Sequence, residues 1–163
     1  MKKTVCAVLA LVFTMLCFTG CGKQQPIVSM YELSREMLAA LNTQETMLYV
    51  SGADADAAEK FAHVSDMDYS LVEDFFLLYA ENGAGNADEI AVIAVKHPRS
   101  APVAEASLCE HLSKRETLYA SYDPGQLEKL QGAVYETVGR YVVLVVAADP
   151  APVMEAFRQF VAP

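Results

Sequence analysis

Two short runs, Ile90–Val95 and Tyr141–Val146, are apolar at nearly every position. A strand with one wet face alternates apolar and polar residues; a strand covered on both faces loses that alternation. Both runs are too short for ordinary helices and are closed off by turn signals, His97-Pro98 after the first and Gly139-Arg140 before the second. The chain is therefore expected to hold a sheet in its interior. Its remaining segments must supply cover for both faces, or leave one face to a partner or a second copy.

The neighbouring segments supply strands and helices in a regular order. Leu71 to Ala80 reads as a strand, and the turn cluster Asn82-Gly83-Ala84-Gly85-Asn86 returns the chain through Asp88–Val95 as its antiparallel partner. Ala133–Val138 is expected to pair with Tyr141–Ala147 in the same way. Ser29 and Glu32 form a capping box for a helix to Leu41, with Leu33, Met37 and Leu41 on one face. A second helix is expected over residues 54–64, a long one from Ser100 to Tyr122, and a short one after Asp123-Pro124. A last helix follows Asp149-Pro150. Met47–Val50 reads only as a short extended piece. The expected fold is α+β, a four-stranded, largely antiparallel sheet with helices packed on it, in the order ααββαββα after an N-terminal signal helix.

The first residues are of a different kind. Lys2 and Lys3 precede an apolar stretch, Thr4–Phe18, and Gly20, Gly22 and Lys23 end it. A charged start and a short apolar middle describe a secretory signal, and the stretch falls short of the ~20 residues that span a bilayer. Phe18-Thr19-Gly20-Cys21 resembles the lipobox of bacterial lipoproteins, with Phe18 standing where leucine is usual. That resemblance implies removal of residues 1–20 and a diacylglyceryl thioether on Cys21. The alternative is a secreted chain cut nearby with Cys21 a free thiol. The expected layout is a signal peptide over 1–20, a lipidated tether over 21–28 and one α+β domain over 29–163.

Charge and cysteine content narrow the function. The chain carries a net charge of −9, and loss of Lys2 and Lys3 makes it more acidic still. Nucleic-acid binding rests on Lys and Arg neutralising phosphates, so nucleic acid is not an expected partner. Cys6 and Cys17 lie in the signal and Cys21 is the lipid acceptor, which leaves Cys109 without an intramolecular disulfide partner. Beside Leu108 and Leu112 it reads as a small apolar side chain.

No catalytic constellation emerges. The chain has no Ser-x-x-Lys, no Gly-x-Ser-x-Gly, no Walker loop and no His-Glu-x-x-His. His63, His97 and His111 lack metal-ligand spacing, and His63 reads as a helix-end partner of Asp66. The acidic run from Asp66 to Ser70 fails as a calcium loop at Leu71 and Leu77. No catalytic, metal-binding or cofactor-binding residue is assigned. Arg140 and Tyr141, at the last hairpin, form a small candidate recognition patch, against the plainer reading of turn and core.

The lipobox, Asp88-Glu89-Ile90-Ala91-Val92, Tyr122-Asp123-Pro124 and Val138-Gly139-Arg140-Tyr141-Val142 together resemble the bacterial lipoprotein family called domain of unknown function 4358, over about Tyr69 to Phe160. The resemblance implies a single-domain cell-surface lipoprotein and supplies no catalytic residue. The expected protein is anchored to the membrane through Cys21 on the extracytoplasmic face and acts as a non-enzymatic binding or interaction module. Its partner would be an envelope component, a membrane protein or another copy of itself. The alternative is a cell-envelope hydrolase or transferase with an unrecognised site.

Overall fold

The computed structural model describes residues 28–81 and 85–162. The signal segment, Cys21 and most of the tether lie outside these residues, as does the tip of the Asn82–Asn86 turn. The elements run α1 (Met30–Leu41), β1 (Met47–Ser51), α2 (Ala57–Phe61), β2 (Val72–Ala80), β3 (Glu89–Val95), α3 (Ala101–Tyr122), α4 (Leu127–Gln131), β4 (Val134–Val138), β5 (Tyr141–Val146) and α5 (Ala151–Val161).

The fold is α+β, but the sheet has five strands rather than four, in the order β1-β2-β3-β5-β4. Every neighbouring pair is antiparallel. The extra strand is the Met47–Val50 piece, extended by one residue. It pairs with β2 from Met47 opposite Ala80 to Ser51 opposite Phe76. Alone it is too short to be stable, and Leu48 and Tyr49 stay exposed on the open edge. What holds it extended is β2's free row of backbone groups, which Met47–Ser51 completes.

The two apolar runs become the adjacent central strands β3 and β5, and every residue in both is buried. Alternation along the strands sends their side chains into two separate cores. Ala91, Ile93, Val142 and Leu144 meet α2, α3 and α4 on one face. Ile90, Val92, Val143 and Val145 meet α1 and α5 on the other. The second cover is thus α1 paired with α5, while α2 joins α3 on the opposite side. The described cores draw on residues 30–161.

The caps follow the sequence in part. Ser29 accepts from the Glu32 amide at 3.3 Å, and Asn42 closes α1 in the left-handed region at φ 49°. Ser100 makes no side-chain cap; α3 is entered instead from a 3₁₀ turn, Pro98–Ser100. The helix expected over 54–64 shrinks to α2. Before it, the Asp54 carboxylate accepts from the Ser51 amide and holds residues 51–54 in a turn. After it, the amides of His63 and Val64 bond three residues back, to Lys60 and Phe61, which tightens the chain out of α-helix. A helix this short leaves the β2/β3 end of the sheet only partly roofed.

Candidate binding cleft

The uncovered end is a cleft of about 450 Å³ between α2 and α3. Its floor is apolar, from Val50 and Leu77, which face each other across β1 and β2, with Val64 and Ala80 beside them. Its walls carry Lys60 and His63 on the α2 side, His111 and Arg115 on α3, and Tyr79, Asn86 and Glu89 at the sheet end. This volume lies in the range of small-molecule sites.

Glu89 is the innermost charged group. It heads β3 opposite Tyr79 and Val146, and its side chain is 5 % exposed. Strand alternation turns it to the same face as Ala91 and Ile93, under α3. There His111 Nε2 donates to Oε1 at 2.8 Å, and Arg115 Nη1 lies 2.9 Å from Oε2. His111 and Arg115 are four residues apart, so one face of α3 brings both to the same carboxylate. Burial pushes the Glu89 carboxyl up, but the His111 hydrogen bond and the Arg115 charge outweigh it and hold it below the usual glutamate value. Arg115 also donates through Nη2 to the Ala87 carbonyl at 3.1 Å and lies over the Tyr119 ring, 5.4 Å from its centroid.

The rest of the wall is pinned from outside. The turn carrying His63 and Val64 is tied to α3 by the Ser65 and Ser107 hydroxyls, 2.7 Å apart, and by Lys114, 2.8 Å from Asp66. Asp66 is therefore paired with Lys114 rather than with His63, which stays exposed on the rim. The loop leading into β3 is held by Gln126, which donates to Gly85 O and accepts from Ala87 N, and by Lys129, 2.8 Å from Asn86 Oδ1. Lys60 sits between Asp56 and Asp54, at 3.0 and 3.3 Å, and both raise its pKa, so it remains cationic.

The recognition patch expected at Arg140 and Tyr141, Cys109 and the acidic run from Asp66 to Ser70 lie outside the cleft lining. Tyr141 is 1 % exposed, and its hydroxyl accepts from the Val28 amide at 3.0 Å, where the described chain begins. Arg140 donates to the carbonyls of Val95 and Lys96 and is 3.8 Å from Glu73, so its guanidinium joins the last hairpin to the end of β3. Both side chains thus serve packing and hairpin closure, and little of either meets solvent. The Cys109 thiol is pushed up by burial and by the nearby Glu105, the opposite of what a reactive thiolate needs. Asp68 accepts from the Ser70 amide at 2.8 Å and caps a 3₁₀ turn. Among the described residues no group of three or more His, Cys, Asp and Glu side chains is placed to hold a metal ion, and no helix is long and apolar enough to cross a membrane.

The Glu89–His111–Arg115 cluster escaped the sequence reading. Two signals pointed to it: a charged residue heading a wholly apolar strand, and a His and an Arg one helical turn apart on α3.

No curated protein and no solved structure matches the chain. Residues 44–147, which span β1 to β5 and all of the cleft wall, match the family described as Domain of unknown function (DUF4358), and the chain belongs to that family.

Proposed function

We propose that the protein is a lipoprotein held by Cys21 at the outer face of the cytoplasmic membrane, and that its α+β domain is a non-enzymatic binding module. The observation that supports the binding role is the cleft: an apolar floor with a fixed polar wall, on a sheet whose central strands are covered by helices on both faces. Among the described lining residues there is no serine, threonine or cysteine to act as a nucleophile, and both oxygens of the buried carboxylate are engaged. Envelope components and membrane proteins are the partners within reach of a short tether, treated as a coil of ~5–6 Å × √n.

Two measurements test the two halves. In fractionated cells the parent should sediment with membranes and Cys21→Ala should not; equal retention of the variant sinks the anchor. Titration with a small neutral apolar probe, hexanol, should move the methyl resonances of Val50, Val64 and Leu77. A cleft that responds to no probe sinks the binding role. A cell-envelope hydrolase or transferase is the second reading, and the hydrogen bond that orients His111 on Glu89 favours it. Turnover of an envelope substrate, lost in His111→Ala, would put it first.

A further inference from the structure

We infer that the cleft selects a small amphiphilic anion, a carboxylate or phosphate head on a short apolar body. This rests on the cleft being the ligand site, and it comes from what the charged side chains of the wall and the rim imidazole leave uncommitted.

Acceptors are nearly exhausted. The Glu89 carboxylate is buried and divided between His111 and Arg115. The Asn86 carbonyl oxygen accepts from the Asp88 amide at 3.0 Å and from Lys129 at 2.8 Å. Among the described lining residues Glu89 is the one carboxylate, so a cationic ligand within the cleft would find its oxygens already taken. Donors are left over. An ammonium carries three N–H groups, and the two aspartates beside Lys60 use two of them, leaving one. His63 is exposed on the rim, its ring paired with no described residue, and an imidazole carries at least one N–H in either protonation state. Asp54 and Asp56 hold Lys60 in place, yet neither lines the cleft. The Lys60 and His63 donors stand at the mouth, above a floor of Val50, Val64 and Leu77, and the Tyr79 hydroxyl, which can donate or accept, lies at the sheet end. That order puts a charged head outward and an apolar body inward.

The test is methyl and amide NMR on the processed chain without its lipid, which retains both cores, titrated separately with hexanoate, hexyl phosphate, hexanol and hexylamine. A charge-assisted hydrogen bond contributes about 1.5–3 kcal/mol, so at least one of the two anions should bind about tenfold or more tighter than hexanol. Comparison of the two anions separates a carboxylate from a phosphate site. In the double variant Lys60→Gln, His63→Gln, one change at a half-buried and one at an exposed position, the anion's advantage over hexanol should vanish. Equal binding of hexanol and both anions, or tightest binding of hexylamine, overturns the anion inference while leaving the cleft a ligand site. No shift with any of the four probes overturns both.

Discussion

Arg115→Met isolates the buried charge cluster. Methionine keeps an apolar stem against Tyr119 but removes the guanidinium from Glu89 and from the Ala87 carbonyl. Both partners are well covered, with side-chain exposures of 14 % for Arg115 and 5 % for Glu89. Breaking such a pair by deleting one partner strands the other charge and costs roughly 3–5 kcal/mol. That is a large fraction of the ~5–15 kcal/mol that holds a domain folded. The pH dependence is the sharper signature. In the parent, Glu89 ionises more readily folded than unfolded, so its contribution is full above the unfolded value of about 4.3 and is lost as pH falls through the lower folded value. In the variant only His111 is left to oppose burial, so the folded carboxyl should ionise at a higher pH than in the parent. The variant then takes up a proton on acidification and recovers stability relative to the parent. Urea denaturation at constant ionic strength should therefore show a gap of about 3–5 kcal/mol at pH 7 that narrows toward pH 5. Adding Glu89→Gln, which removes the stranded charge, should recover part of the loss at pH 7. A gap below about 1 kcal/mol that stays flat with pH would mean that water, not Arg115, solvates this carboxylate.

Phe157 is fully enclosed in the α1/α5 core, at 0 % exposure, so Phe157→Ala should cost about 3–5 kcal/mol in a denaturant titration; a loss under 1 kcal/mol would show that this layer collapses freely around the gap. Asp74 titrates high because of burial and the Glu73 charge, although it accepts from the Phe75 amide at 2.8 Å. An acid raised in the folded state weakens the fold where it is ionised, so Asp74→Asn, which keeps the acceptor, should match or exceed parent stability at pH 7 by up to about 0.5 kcal/mol. The difference should close as pH falls through the raised value, and a variant less stable than the parent at pH 7 would contradict that ordering.

Most elements were legible because their signals are local. The unbroken apolar runs marked β3 and β5 as interior strands, and Pro124 and Pro150 located the starts of short helical segments. What escaped detection depends on neighbours. Met47–Ser51 reads as extended by itself, but its place as a fifth strand depends on the edge that β2 offers. The helix expected over 54–64 starts late because Asp54 spends its carboxylate on the Ser51 amide and Lys60, while Asp56 pairs with Lys60 and makes no side-chain cap. Tyr141 allowed two readings, recognition patch or turn and core, and it is strand alternation and the covering α1/α5 layer that enclose it.

Taken alone, the amino-acid order determined an acidic α+β domain whose central strands need cover on both faces, because periodicity and turn chemistry act over a few residues. It also determined the family, through residues 44–147. Tertiary packing decided the rest: that a fifth strand completes one edge, that a curtailed helix leaves part of one face open, and that His111 and Arg115 converge on Glu89. Spacing along a helix says which side chains share a face. Only the packed fold says which strand that face meets, and so which charge it must balance.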